Sequence, residues 1–276
     1  MRVAALYDIH GNLPTLDAVL TEVEWERPSL IVVGGDVASG PLPRPTVERL
    51  MALGPRAHFV RGNADRNLVA TLDGLLPDPA RSPTYRAQLA WWAGQLGGAH
   101  RDFLATFTAP TVFPVDGLGD AIFCHGSPRD EDEIITARTQ DERLARIVAA
   151  VEQPLVVCGH THVQFDRRWD TTRVVNAGSV GMPYDAPGAH WAMLGPTVSL
   201  RRTEYDLDAA AARIRASGYP WADDFIASTL RHTPSATEVT AFLARLERLA
   251  AESKDRRLGN SQTCLSKARG RAVLAA

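Results

Sequence analysis

Short apolar runs recur along the chain, each closed by a glycine or a polar side chain: Val3 to Tyr7, Leu30 to Gly35, Ala57 to Gly62, Asp120 to Cys124 and Leu155 to Gly159. Runs of this length bounded by turn residues predict buried strands. Between the first two, Pro14 opens a helix reaching about Glu26, with Leu16, Val19, Leu20 and Val23 at helical spacing. Proline suits a first helical turn, where its missing N–H has no partner to lose. Pro28 ends that helix, and a shorter one, Pro45 to Leu53, leads to the third run. This βαβαβ opening predicts a parallel sheet with helices on its faces.

The rhythm breaks between Asn67 and Pro110. That stretch holds Pro77, Pro79 and Pro83, a helical segment from Tyr85 to Gln95 carrying Leu89, Trp91 and Trp92, and a short helix from Arg101 to Phe107. It predicts a helical insert between two strands, placed to cap whatever lies at their ends, with the two tryptophans packing it onto the core. A hairpin follows, Thr111 to Val115 and Asp120 to Cys124, turning through Asp116-Gly117-Leu118-Gly119. After a helix from Asp141 to about Val151 and the strand ending at Gly159, a second hairpin runs Val163 to Trp169 and Thr172 to Val175. Strands near Trp191 to Leu194 and Val198 to Arg202 suggest a second sheet, and helices near Leu207 to Ser217 and Ala236 to Ala251 close the pattern. Residues 1–251 read as one domain. The remainder has no helical or strand period and holds both of the chain's lysines, Lys254 and Lys267, which predicts a disordered tail over 252–276.

Chemistry concentrates where the apolar runs end. Asp8, His10, Asp36, Asn63, His125, His160 and His162 each sit just past one. In open α/β sheets the carboxyl ends of strands are where ligands bind. Asp8 and His10 alternate so that both can turn toward one point, and Gly34-Gly35-Asp36 and Gly62-Asn63 leave room for close backbone approach. A carboxylate has two oxygens, enough for Asp36 to bridge two cations. Carboxylate, amide oxygen and imidazole together suit manganese, iron, zinc or nickel rather than a thiolate-selecting metal.

These motifs in this order (D-x-H, GD, GN, H and GHTH) resemble the calcineurin-like metallophosphoesterases, the short bacterial and archaeal phosphodiesterase branch most of all, and Asn176-Ala177-Gly178-Ser179-Val180-Gly181 resembles the family's next strand and turn. The resemblance implies an α/β fold, a four-layer αββα sandwich of two mixed sheets flanked by helices. It also implies two divalent metal ions, one held by Asp8, His10 and His162 and the other by Asn63, His125 and His160, with Asp36 bridging. Catalysis then centres on Asp36, Asn63 and His125, and a hydroxide shared by the metals attacks phosphorus in line. The expected activity is hydrolysis of a small phosphodiester or phosphomonoester. A non-catalytic interaction scaffold of the same fold and a nuclease are the alternatives; seven filled ligand positions argue for catalysis. One departure stands out. Many relatives carry histidine after the motif asparagine, credited with steadying the transition state or protonating the leaving group; here the residue is Ala64. Such acid catalysis is typically worth about 100- to 10,000-fold, so leaving groups that depart unaided are expected.

Other residues near the motifs add detail. Arg61, Arg66 and Arg129 flank the turns and could pair with a phosphate or with surface carboxylates. Asp65 is placed to orient a neighbouring ligand, and Tyr184 and Asp185 to line the rim. Asp130-Glu131-Asp132-Glu133 reads as a solvated helix start, His58 as a core histidine, and Cys124 and Cys158 as small buried strand residues. A net charge of −2 and pI of about 6.4, with no basic aromatic groove, speak against a nucleic-acid surface. No run reaches the length of a membrane span. With no signal-peptide pattern and three sparse cysteines, the expected compartment is the cytoplasm. An oligomer is compatible with all of this.

Overall fold

The computed structural model describes residues 1–75, 78–79 and 81–247; the expected tail at 252–276 lies outside them. Its opening is β1 (Val3–Leu6), α1 (Leu13–Glu26), β2 (Leu30–Val33), α2 (Pro43–Met51), β3 (Ala57–Phe59) and α3 (Asn63–Leu72). The insert supplies α4 (Pro83–Gly94) and α5 (Gly98–Ala105). Then come β4 (Thr111–Val115), β5 (Gly119–Phe123), α6 (Asp141–Val148), β6 (Leu155–Cys158), β7 (Phe165–Trp169), β8 (Thr172–Asn176), β9 (Ala189–Leu194) and β10 (Val198–Thr203). Helix α7 (Leu207–Arg215), α8 (Ala222–Phe225) with a π-helical continuation (Ile226–Arg231), and a helix over 236–247 complete the described chain.

Two five-stranded mixed sheets form, ordered β10-β9-β1-β2-β3 and β4-β5-β6-β8-β7. Strands β1, β2 and β3 are parallel, as are β5, β6 and β8. Both expected hairpins are present, β4 with β5 and β7 with β8. The strands expected to begin a second sheet instead extend the first: β9 pairs antiparallel with β1, setting Ala5 opposite Ala192. Their apolar character is equally suited to either place, and the decision rests on pairing with a strand far away in sequence.

Period-two alternation sorts the core into layers. Val3, Ala5 and Tyr7 of β1 and its end meet Phe123, Leu155 and Val157 between the sheets. Ala4 and Leu6 face the other way, into the cluster of Leu16, Leu20 and Val23 from α1 and Ile214 from α7. On the far side Val156, Cys158 and Val174 pack against Leu144 and Ile147 of α6. The result is helices, sheet, sheet, helix. Two elements escaped the sequence reading: α3, whose start is a site residue, and the short helical pair over 222–231. The acidic run 130–133 starts no helix; it lies in a loop.

Candidate metal centre

Each of the seven residues stands at a strand end, as expected, and strands of both sheets contribute. Asp8 and His10 follow β1, Asp36 follows β2, and Asn63 follows β3 as the first residue of α3; His125 follows β5, and His160 and His162 follow β6. Five of them occupy left-handed backbone: Asp8 (φ 55), His10 (φ 48), Asp36 (φ 53), His160 (φ 65) and His162 (φ 59). A non-glycine residue gives up about 1–2 kcal/mol there, so the surrounding fold holds these turns against their local preference. Glycines permit the crowding. A Cβ on Gly62 would lie 2.2 Å from Asp36 Oδ1, and one on Gly159 2.5 Å from Asp8 Oδ2.

Electron-rich atoms converge at short range. His162 Nε2 lies 3.3 Å from Asp8 Oδ1 and 3.1 Å from His10 Nε2. His125 Nε2 lies 3.1 Å from Asn63 Oδ1, 3.6 Å from Asp36 Oδ2 and 3.9 Å from Asp8 Oδ1. The other ring nitrogens are spoken for. His125 Nδ1 donates to the Gly34 carbonyl (2.8 Å), His162 Nδ1 donates to the Met182 carbonyl (2.9 Å), and His10 Nδ1 meets Ser39 Oγ (2.8 Å). In the neutral rings of His125 and His162 this leaves the Nε2 lone pairs pointing among oxygens and other nitrogens. Asp8 Oδ1 is buried with no hydrogen-bond partner. Such a set needs positive charge at its centre, and oxygen and imidazole donors suit a divalent cation. Two overlapping groups have ligand atoms within 4.8 Å of one another, Asp8 with His10 and His162, and Asp8 with Asp36 and His125. Asp8 belongs to both, whereas Asp36 Oδ2 reaches toward both through His125 and, at 4.0 Å, His10. His160 falls in neither group; its ring stands 5.1 Å from that of His125 and its N–H donates to Asp8 Oδ2 (2.8 Å).

Charge states follow from burial and neighbours. Burial alone would raise Asp8, yet His162, then His125 and His10, hold it well below the carboxylate range. Burial also depresses His10, to about 3, and His160, to about 4, with neighbouring imidazoles adding to the effect. For His125 and His162 burial is outweighed by carboxylates, Asp36 and Asp8 for the first and Asp8 for the second, and both are raised. Burial raises Asp36, with the Asp8 charge adding to it against His125.

The supporting residues are fixed more tightly than the sequence suggested. Asp65 accepts from three backbone N–H groups, those of Asp36 (2.8 Å), Val37 (3.0 Å) and Gly62 (2.9 Å). It therefore ties the Asp36 turn to the Asn63 turn, while burial and the Asp36 charge push it up to about 7. Asn176 ties down the turn before His160, donating to the Gly159 carbonyl (2.6 Å) and Thr161 Oγ1 (3.0 Å). Ser39 and Asn176 went unassigned in the sequence, since neither spacing nor residue type marks a hydrogen bond across the fold. Tyr184, expected at the rim, stacks on His162 with ring centroids 5.5 Å apart. The arginines are engaged by the acidic loop: Arg61 with Glu131 (3.1 Å), Arg66 with Glu131 (2.5 Å) and Asp132 (3.0 Å), and Arg129 with Glu133 (2.6 Å). His58 is half-buried against Thr108 Oγ1 (3.0 Å), and Cys124 and Cys158 are fully buried.

The centre opens on two sides. A cleft of about 420 Å³ is lined by His10, Asp36, Asn63 and Ala64 together with residues of α4 and the 219–228 region. A second cavity of about 330 Å³ lies beside His125, lined by Arg61, Arg66, Ser127, Arg129 and Glu131. No helix among the described residues is long and apolar enough to cross a membrane.

Comparison with known proteins agrees with this geometry. No curated protein sequence matches the chain. Among solved structures, a metallophosphoesterase from Sphaerobacter thermophilus is similar at 28% identity and a TM-score of 0.64, covering 82% of this chain and 97% of its own. A hypothetical protein from Pyrococcus horikoshii shares the fold at 22% identity and a TM-score of 0.70, over 82% of this chain and 96% of its own. The calcineurin-like phosphoesterase superfamily domain matches residues 1–197, a span that holds all seven strand-end residues. With a matching domain over most of its length and two mixed sheets that deliver the motif residues to one point, this chain belongs to the calcineurin-like phosphoesterase superfamily.

Proposed function

We propose that the chain is a dinuclear-metal-dependent phosphoesterase that hydrolyses a phosphodiester in preference to a monoester. The observation that carries the proposal is the convergence of Asp8, Asp36, Asn63, His10, His125 and His162 on a buried centre around an unpartnered carboxylate oxygen. Asp8, His10 and His162 would hold one ion, and Asn63, His125 and His160 the other, with Asp36 shared. Bound divalent ions would lower the pKa of water and neutralise charge on phosphoryl oxygens. The protein's own part is positioning. Asp65 holds the Asp36 and Asn63 turns in register, and backbone carbonyls aim the Nε2 atoms of His125 and His162. Arg61 and Arg66 line the second cavity and engage Glu131 through Nε and Nη1 respectively, and a guanidinium has further N–H groups with which to meet a phosphoryl oxygen. The diester preference is supported by the lining of the 420 Å³ cleft, which among the described residues holds no arginine or lysine and so suits a singly charged ester better than a dianion.

Metal analysis of the purified protein is expected to give close to two equivalents. With manganese or nickel added, bis-p-nitrophenyl phosphate should be hydrolysed faster than p-nitrophenyl phosphate. Asp36→Asn should lose activity by 100-fold or more, on the order expected for loss of a metal ligand or the groups that orient it. Full activity in that variant would overturn the bridging assignment. No turnover of either ester by the metal-loaded protein would favour a scaffold role.

A further inference from the structure

The larger cleft has a composition that the metal motifs do not explain. Beyond the site residues its wall is aromatic: Tyr85 and Trp92 come from α4, and Tyr219, Trp221 and Phe225 come from the segment at and before α8. The two halves are joined. Gln88 Nε2 donates to Tyr219 Oη (3.4 Å), and the rings of Trp91 and Tyr219 lie 4.9 Å apart. Tyr219 in turn meets Trp221 at 5.5 Å, and Tyr85 meets Trp92 edge-on at 6.2 Å. Within the wall Trp92, Tyr219 and Phe225 are largely buried, whereas Tyr85 and Trp221 keep more of their surface accessible. Polar groups are present but uncharged or acidic: Thr84, Gln88, Ser228 and Asp224. The wall's C-terminal half lies outside residues 1–197, the span matched by the superfamily domain.

We propose that this cleft seats a planar aromatic or heteroaromatic ring carried by the departing alcohol of a singly charged phosphodiester. The inference rests on the phosphoesterase reading of the adjoining centre. Three observations select the occupant. First, flat side chains with accessible surface favour stacking on a flat partner, in offset or edge-on geometry. Second, with no arginine or lysine among the described lining residues and Asp224 among them, a second phosphate would find no counter-charge. Third, the cleft opens beside Ala64, the position where the family pattern places the group that assists departure, so its occupant is the leaving side of the ester. Water's oxygen bonds to phosphorus and releases a proton to solvent, the bond from phosphorus to the ring-bearing oxygen breaks, and that oxygen leaves with the bonding pair. A ring that delocalises the charge leaves without a proton donor.

The test uses the metal-loaded full chain and diesters that release the same product, methyl phosphate, followed by phosphorus NMR. Methyl phenyl phosphate is compared with methyl hexafluoroisopropyl phosphate, whose departing alcohols are of similar acidity but only one of which is planar; methyl 3-pyridyl phosphate separates a heteroaromatic from a carbocyclic ring. The wild-type protein should prefer the ring-bearing esters in kcat/KM by roughly tenfold to a hundredfold, the range of one stacked ring. Trp221→Ala should collapse that preference and Trp221→Phe should restore much of it, with metal content unchanged in both as the check on folding. Equal turnover of all three esters by the wild type, or a preference that Trp221→Ala leaves intact, overturns the aromatic subsite while leaving the phosphoesterase reading standing. Failure to hydrolyse any of them overturns that underlying reading.

Discussion

Ala64 shows how one side chain redistributes the work of a site. Its N–H donates to Asp36 Oδ1 (2.8 Å), so the backbone here serves the centre, while its methyl group lines the cleft where the family pattern has an imidazole. On the proposed reading, departure without a proton from this position means that rates should fall steeply as the departing alcohol becomes more basic. Ala64→His is therefore expected to act selectively. Activity on alkyl diesters with basic leaving groups should rise by about 100-fold, the lower end of general acid catalysis, and the plot of log rate against leaving-group pKa should flatten. An unchanged slope would show that the leaving group departs elsewhere.

At the scale of elements, the loop after β5 is organised by charge. Glu133 accepts from Ser127 Oγ (2.8 Å), from Arg129 Nε (2.7 Å) and Nη2 (2.6 Å), and from Arg143 (3.3 Å). Burial would raise its pKa, but these donors hold it below the ordinary value of 4.5. A depressed carboxylate contributes stability that is fully present above its unfolded-state pKa and is lost as pH falls through the folded one. Glu133→Gln should thus unfold more easily at pH 7, by about 1–3 kcal/mol, with the deficit shrinking below pH 4.5. Denaturant melts at pH 7 and pH 3.5 check this, and a deficit independent of pH would assign the loss to packing instead. In sequence the run resembles a helix start because acidic residues in a first turn are a helix signal, whereas two of the arginines that hold it as a loop, Arg61 and Arg66, lie far back in the chain. The same limit explains β9 and β10, whose apolar runs were visible but whose sheet was not. It explains the aromatic wall too, since Gln88 and Tyr219 are 131 residues apart. What could be read locally was the ending of each strand. Because a strand delivers its last side chain to a sheet edge, the seven ligand candidates needed no knowledge of pairing to be found.

For the molecule as a whole, neither sheet holds a complete centre: Asp8, His10, Asp36 and Asn63 come from one, and His125, His160 and His162 from the other. On the proposed reading, bound ions join the sheets at one end and relieve the repulsion among converging lone pairs. Removing them with a chelator should lower the melting temperature by roughly 5–10 °C relative to protein with free metal at about 100 times its Kd. A melting temperature indifferent to chelation would count against a metal at this seam. The division of ligands has a further consequence. The interior between the sheets, where Ala5, Val157 and Ala192 meet, sets the spacing of the two half-sites as a spacer sets the gap of a vernier. Bulk added there changes no candidate ligand, yet slides one half-site past the other, so on the proposed reading mutations in this apolar interface would be read out first as altered metal affinity.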